Sequence, residues 1–142
     1  MATLLTRQTD ASSQQPSCNF TDPAQAQMVA LQVPLEELQA RCARYRTLLA
    51  SLQPSQEHTM IQAANFTTDS VRQLLEQSPD SAFIRVYYGI EEDGTHRLFM
   101  APVTEPMALS ATEAADMLFV DDCCHCPPRL NCPADELLDA AD

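Results

Sequence analysis

The feature that most constrains this fold is a regular apolar pattern that covers 25 residues of the first half of the chain. Its apolar positions are separated alternately by three and four residues, which is the heptad spacing of one helix face. Pro34 lies inside the pattern and cannot continue a helix from the residues before it. The sequence therefore predicts a short helix at 23–32 and a longer one at 34–52, or one kinked helix, with Pro54 ending it. The pattern consists of Met28, Leu31, Leu35, Leu38, Cys42, Tyr45, Leu49 and Leu52.

Two interpretations of this apolar stripe stay open. An amphipathic helix usually buries such a face in its own domain, whereas a narrow heptad stripe also suits contact with a second copy or another protein. Because the sequence shows no catalytic constellation, the leading hypothesis is a non-enzymatic protein that acts by protein-protein association, as a homo-oligomer or an adaptor. The predicted interface residues are Met28, Leu31, Leu35, Leu38, Tyr45, Leu49 and Leu52.

The middle of the chain predicts a capped helix followed by a pair of strands. Residues 67–78 begin with a Thr-Thr-Asp cap and continue with apolar residues at helical spacing. Residues 82–89 and 97–103 are rich in β-branched and aromatic types, and Glu92-Asp93-Gly94 between them is a tight-turn signal. Residues 117–120 are the best candidate for a third strand.

The predicted fold class is α+β, with N-terminal helices, one of them long and heptad-patterned, packed on a small antiparallel sheet. An irregular Cys-rich C-terminal segment follows the sheet. A chain of 142 residues is sufficient for one ordinary domain. The predicted divisions are a flexible N-terminal arm at 1–22, a single α+β domain at 23–120 and the Cys-rich acidic segment at 121–142.

Chemically reactive side chains concentrate in one C-terminal stretch, where four cysteines and a histidine lie within ten residues. Two of the cysteines have the C-x2-C spacing that allows two sulfurs to bind one tetrahedral ion, and two prolines then turn the chain. Nearby Asp and Glu residues raise thiol pKa values and favour a bound cation over redox chemistry. The sequence therefore predicts a zinc site as the alternative function, with no other cofactor indicated. The predicted ligands are Cys123, Cys126, Cys132 and His125, with Cys124 as an alternate ligand.

Other roles for the same residues stay open. The thiols fit packing under a proline-rich turn, and they also fit a disulfide, such as Cys124 with Cys132, or a redox-responsive thiol. Cys132 suits the redox role because a terminal helix is predicted to begin at Pro133. A thiol-dependent enzyme is the most distant alternative, because Cys124 and His125 are adjacent and point in opposite directions in an extended chain.

Charge and composition exclude several classes of partner. The formal charge is -12, with eight Arg and no Lys, so nucleic-acid phosphates and anionic lipid head groups are repelled. No apolar run approaches the roughly 18 residues of a membrane span, and no secretory leader pattern begins the chain. The sequence therefore predicts a cytoplasmic protein with reduced thiols and no nucleic-acid or membrane partner. The two glycines, Gly89 and Gly94, cannot form a phosphate-binding loop.

Three short segments of the chain resemble a group of small uncharacterised bacterial proteins. The segments are Ile84-Arg85-Val86-Tyr87-Tyr88-Gly89, Glu92-Asp93-Gly94 and Cys126-Pro127-Pro128, within the span from Phe66 to Pro128. The resemblance implies a helix, a strand and a hairpin in this span and implies no activity. The thiols of Cys123, Cys124 and Cys132 lie outside the shared pattern.

Overall fold

The computed structural model describes residues 1–7, 28–104 and 109–138. None of the helices in these ranges is long and apolar enough to cross a lipid bilayer. In chain order the elements are β1 (Ala2–Arg7), β2 (Met28–Val33), α1 (Leu35–Ser51), β3 (Ala63–Asn65), α2 (Thr68–Gln77), β4 (Phe83–Ile90), β5 (His96–Val103), α3 (Ala111–Ala114), β6 (Val120–Asp121), β7 (Cys124–Cys126) and a 3₁₀ turn (Arg129–Asn131).

The described strands form three antiparallel sheets. β1 pairs with β2, β3 pairs with β7, and β5 lies between β4 and β6. The helix content and the antiparallel sheets make the fold a small mixed α+β domain. The predicted set of N-terminal helices is wrong, because Met28–Val33 of the predicted helix at 23–32 is a strand. Helix α2 contacts β5 and β6.

The N-terminal part of the chain corrects two predictions. Ala2–Arg7, in the predicted flexible arm, is strand β1, and Met28–Val33, in the predicted helix at 23–32, is strand β2. The remaining residues of both predictions, 8–27, lie outside the described residues. The strand forms because Pro34 disfavours helical geometry at Val33, and the β-branched residues of β2 suit a ladder.

Helix α1 contains only the later part of the heptad pattern. Pro34 precedes it with extended geometry and accepts the first hydrogen bond, from Glu37 N to its carbonyl oxygen at 3.0 Å. Glu37 also forms an ion pair with Arg41 across one helical turn, at 3.1 Å. Leu52 is extended and ends the helix. Leu49 is the only fully buried residue of α1, so most of the stripe is not packed in the core.

The central helix and hairpin confirm the sequence predictions for this region. The Thr67 hydroxyl accepts a hydrogen bond from Ser70 N and caps α2. β4 and β5 pair without interruption from Phe83–Val103 to Ile90–His96. Gly94 has a φ of 90°, which a residue with a Cβ atom rarely adopts, and this turn joins the two strands. The third strand, β6, begins at Val120, the last residue of the predicted strand.

The C-terminal segment is more ordered than the sequence predicted. Cys124–Cys126 forms β7, paired with β3, and a disulfide joins Cys126 to Cys132. The helix predicted from Pro133 is absent over the described residues 133–138. Asp135 accepts hydrogen bonds there from the backbone N–H groups of Leu137 and Leu138, which forms a turn in place of a helix.

The most deeply buried side chains come from the two longer helices and from the middle strand of the sheet. Leu49 of α1, Leu74 of α2, and Pro102 and Val103 of β5 are each less than 2% exposed. The Tyr45 hydroxyl of α1 donates to the Ile61 carbonyl oxygen at 2.9 Å. Burial, with a smaller contribution from the neighbouring Tyr88, raises the pKa of Tyr45.

Candidate functional site

The cysteines of the C-terminal segment are positioned by the short β3–β7 ladder. Ala63 lies opposite Cys126, Ala64 opposite His125, and Asn65 opposite Cys124. Gln62 N donates to Cys126 O at 2.7 Å, and Cys123 N donates to Asn65 O at 2.8 Å. One of these backbone hydrogen bonds lies at each end of the ladder. Because side chains alternate along a strand, Cys124 and Cys126 point to one side of β7 and His125 points to the other.

The disulfide uses two of the predicted zinc ligands. Cys126 is 4% exposed and Cys132 is 6% exposed, and their sulfurs are bonded to each other. The His125 ring lies against Asp122, and Cys123 is exposed. In the described ranges, no group of three or more His, Cys, Asp or Glu side chains is arranged to hold a metal ion. The four predicted ligands are therefore not brought together in this oxidised form of the chain.

The Cys124 sulfur has several polar neighbours. Asn65 Nδ2 lies 3.2 Å from it, the Asn131 carbonyl oxygen 3.8 Å and the Cys123 sulfur 3.7 Å. The same Asn65 nitrogen lies 3.6 Å from the Cys132 sulfur. The contact with Cys124 is the largest of the effects that raise the pKa of the Cys123 thiol.

Asp122 is the buried charged residue of this region, and the sequence analysis counted it only among the acids near the thiols. Its carboxylate accepts hydrogen bonds from Leu98 N at 2.8 Å and Arg97 Nη1 at 3.2 Å, and His125 Nδ1 lies 3.0 Å away. Burial works to raise the pKa of Asp122, but the hydrogen bonds from His125, Leu98 and Arg97 outweigh it and lower the pKa. The carboxylate is therefore an ionised structural group that links β5 to the cysteine segment.

A groove of about 880 Å³ is lined by residues of α1 and by both cysteines of the disulfide. Arg46 of α1 lines the groove, and so do His58, Cys126, Pro127 and Cys132. In the described part of the chain, the hydrogen bonds of the cysteine sulfurs do not include a histidine nitrogen. The arrangement therefore lacks the thiol–imidazole pair that a cysteine nucleophile needs.

The predicted interface residues do not form one continuous stripe. Met28 and Leu31 are exposed on β2, where an odd spacing places them on opposite faces. Leu35 and Leu52 are exposed near the two ends of α1, and Leu49 is in the core. Leu38 and Tyr45 are half-buried on α1. The structure therefore divides the predicted surface between a two-stranded ribbon, a helix and the core.

A row of exposed apolar side chains lies on β4, which the sequence analysis described as a strand without assigning it a role. Its even-numbered residues are exposed: Ile84 by 36%, Val86 by 51%, Tyr88 by 44% and Ile90 by 64%. β4 is an edge strand, and among the described residues only β5 pairs with it. The run of alternating apolar residues at 82–89 was the signal that could have identified this surface.

The pairing with β5 determines which backbone groups of β4 point outward. Pro102 has no N–H, so the Ile84–Pro102 pair is of the type that is not hydrogen-bonded. Glu91 N donates to Thr95 O at 2.8 Å, which places the hydrogen-bonded pairs at odd-numbered residues of this strand. The even-numbered residues therefore direct both their N–H and C=O groups away from β5, towards the free edge.

Comparison with known proteins gives no relative. The chain matches no protein-family model, no curated protein and no solved structure.

Proposed function

We propose that the protein acts by self-association, with a second copy pairing along the free edge of β4. The observation that carries this proposal is that the same four residues direct backbone hydrogen-bonding groups outward and expose apolar side chains. Unpaired strand edges recruit further strands because each added residue pair satisfies backbone groups and covers side chains. The residues are Ile84, Val86, Tyr88 and Ile90.

The edge lacks the devices that usually keep an edge strand from pairing. β4 contains no proline and no lysine, and its register with β5 has no bulge. Arg85 is its single charged residue, and its side chain lies over the Tyr87 ring on the opposite face from the exposed apolar residues. The strand is eight residues long, which gives room for a complete ladder.

An antiparallel two-fold pairing centred on Tyr87 fits the sequence of the strand. In this register Ile84 lies opposite Ile90 of the second copy, and Val86 lies opposite Tyr88 of the second copy. All four outward-facing residues are then paired, whereas a shift by two residues leaves one of them unpaired. Apolar and aromatic pairs of this kind each stabilise a ladder by about 0.2–1 kcal/mol.

The opposite face of the same ladder is also complementary in charge. Arg85 lies opposite Gly89 of the second copy, which has no side chain, and diagonally across from Glu91 of the second copy. Unlike charges at diagonal positions across two strands attract each other. The product is a continuous sheet made from the three-stranded sheets of two chains.

The test is the mass of the protein in solution, measured by analytical ultracentrifugation over a range of concentrations. The wild type is expected at twice the 15.7 kDa chain mass at high concentration. Val86→Lys places a charge in the centre of the ladder and is expected to give the monomer. Leu75→Lys changes a similarly exposed leucine on α2 and is expected to leave the dimer intact.

A further variant distinguishes the β4 edge from the surface predicted at 28–52. Leu31→Lys alters that surface and leaves β4 unchanged. Dissociation by Leu31→Lys, with Val86→Lys still dimeric, would transfer the interface to that surface and contradict the β4 proposal. A wild type that stays monomeric at high concentration would contradict self-association itself.

Zinc binding by the reduced chain is the second proposal. It is supported by the position of three sulfurs: those of Cys124 and Cys132 both contact the Asn65 amide, and that of Cys126 is bonded to Cys132. Reduction of the disulfide would supply three thiols at this place, and thiolates are preferred zinc ligands.

We also propose a cytoplasmic location for the protein, and the oxidation state of Cys126 and Cys132 tests it. Cytoplasmic thiols are normally kept reduced, so Cys126 and Cys132 should be free thiols in that compartment. Rapid acid quenching of expressing cells, followed by alkylation and mass spectrometry, reports their state. Free thiols in intact cells support the location, and a persistent disulfide would contradict it.

A further inference from the structure

The sulfurs of Cys124 and Cys132 share one polar neighbour, the side-chain amide of Asn65. Asn65 Nδ2 is 3.2 Å from Cys124 Sγ and 3.6 Å from Cys132 Sγ. Cys124 and Cys126 are two residues apart on β7, so their side chains point to the same side of the strand. Cys132 is therefore bonded to Cys126 and shares the Asn65 amide with Cys124.

We propose that this cluster is an internal thiol–disulfide exchange site, in which Cys124 and Cys126 compete for Cys132. The Cys124 thiolate attacks Cys132 Sγ, a Cys124–Cys132 bond forms and the Cys126–Cys132 bond breaks. The electron pair of the broken bond goes to Cys126 Sγ, which takes up the proton that Cys124 lost. The numbers of thiols and disulfides do not change, so the step needs no external oxidant or reductant.

Asn65 is the positioning residue of the exchange. It lies opposite Cys124 in the β3–β7 ladder, and its carbonyl oxygen accepts a hydrogen bond from Cys123 N at 2.8 Å. The ladder therefore fixes the backbone of Asn65 at a place from which its side-chain amide contacts both sulfurs. An amide donor stabilises negative charge on the attacking sulfur and orients it towards Cys132.

Cys123 is the less suitable nucleophile, although it is the more exposed thiol. Its sulfur contacts that of Cys124, at 3.7 Å, and is not among the groups around Asn65 Nδ2. Cys123 therefore serves as the matched control for Cys124.

The exchange would change whether the groove wall contains a free thiol. Cys126 and Cys132 both lie in its wall, which also contains Arg46 and His58. Transfer of the bond to Cys124 leaves Cys126 as a free thiol at this wall. A small electrophile or a low-molecular-weight disulfide that enters the groove would then modify Cys126.

The linkage can be read directly by peptide mapping of the intact chain. Trypsin cleaves after Arg129, so Cys132 lies in one peptide and the other three cysteines of the segment lie in the peptide before it. The folded protein is incubated at about pH 8.5, quenched with acid, alkylated and digested. Fragmentation of the linked peptides then shows which cysteine is bonded to Cys132.

The wild type is expected to give both linkages. The Cys124–Cys132 form should lie within about tenfold of the Cys126–Cys132 form, because the two short loops differ little in closure entropy. Cys124→Ser is expected to abolish the second linkage, and Cys123→Ser is expected to keep it. A wild type that holds less than about a hundredth of its linked material as Cys124–Cys132 would overturn the proposal.

Two variants test the exchange even if most of the wild type keeps the Cys126–Cys132 linkage. In Cys126→Ser, mild oxidation is expected to bond Cys132 to Cys124 while the far-ultraviolet circular dichroism stays native. Cys132 left free, or bonded to Cys123, would overturn the proposal. Asn65→Ala is expected to slow the approach to equilibrium by about tenfold, which is the effect of one hydrogen bond to a charged sulfur.

Discussion

Ile84 on β4 lies opposite Pro102 on β5, and this pair explains how a proline is accommodated in the middle strand of a sheet. Pro102 has no N–H, and at this position an N–H would point towards the β6 side. β6 is only two residues long and lies opposite Phe99 and Met100, so it ends before reaching Pro102. β6 therefore has no residue opposite Pro102, and the missing N–H breaks no hydrogen bond between β5 and β6. The same pairing makes Ile84 and the other even-numbered residues of β4 face the free edge.

Proline substitutions in β4 separate outward-facing from inward-facing backbone groups. Val86→Pro removes an N–H that faces the free edge, so we expect the monomer to remain folded and the dimer to be lost. Tyr87→Pro removes an N–H bonded to β5, and we expect it to lower the free energy of unfolding by about 3 kcal/mol. Chemical denaturation and sedimentation measure the two effects. Equal destabilisation by the two prolines would contradict the assignment of the edge.

The hairpin turn should depend on the glycine at position 94. Gly94 has a φ of 90° and open space where a Cβ atom would lie, so the effect of a side chain there is conformational rather than steric. We expect Gly94→Ala to lower the free energy of unfolding by about 1–2 kcal/mol. Gly94→Asn should cost less, because asparagine tolerates positive φ angles better. Urea denaturation of the three proteins gives the order, and an alanine variant as stable as wild type would contradict the turn geometry.

The buried Asp122 should make stability depend on pH in the acid range. Its pKa is lowered in the folded protein from an ordinary value of 3.8, so its ionised form stabilises the fold. This contribution is complete above the unfolded pKa and is lost as the pH falls through the lower folded pKa. We expect Asp122→Asn to cost about 2 kcal/mol at neutral pH. The difference from wild type should shrink below about pH 4.

The control for this carboxylate is its exposed neighbour. Asp121→Asn removes the same charge from the chain, and its carboxylate is not part of the Asp122 hydrogen-bond network. We expect a change within about 0.5 kcal/mol for this variant. A difference between wild type and Asp122→Asn that stays constant from pH 7 to pH 3 would contradict the role of ionised Asp122.

Metal content tests the zinc proposal against the disulfide. While Cys126 and Cys132 are bonded, their sulfurs are not thiolate ligands, so we expect no stoichiometric zinc on the oxidised chain. After reduction and addition of zinc, elemental mass spectrometry of the desalted protein should find about one zinc per chain under this proposal. Cys132→Ser should lose the metal, and Cys42→Ser, on α1, should keep it. If the reduced wild type binds no zinc, the zinc proposal is wrong.

The parts of the fold that could be predicted from sequence are those specified by local chemistry. Thr67 caps α2 with its own hydroxyl, and Gly94 permits the turn between β4 and β5. Both effects depend on residues a few positions apart, which a sequence pattern records directly.

The incorrect predictions concern elements whose partners lie far along the chain. The spacing of Met28 and Leu31 suits a helix, but both residues lie in β2, which pairs with β1. No pattern in the local sequence indicates that pairing. The pairing of β3 with β7 involves three residues on each strand and joins Asn65 to Cys124. Six cysteines allow many linkages, and spacing alone does not select Cys126 with Cys132.

Amide hydrogen exchange along β4 tests the central claim most directly, because it reports on the outward-facing N–H groups themselves. We expect the amides of Ile84, Val86, Tyr88 and Ile90 to exchange quickly in dilute protein and to become protected as the concentration rises. The inward-facing amides of Arg85, Tyr87 and Gly89 should be protected at every concentration. Outward amides that stay unprotected in concentrated protein would contradict pairing along this edge.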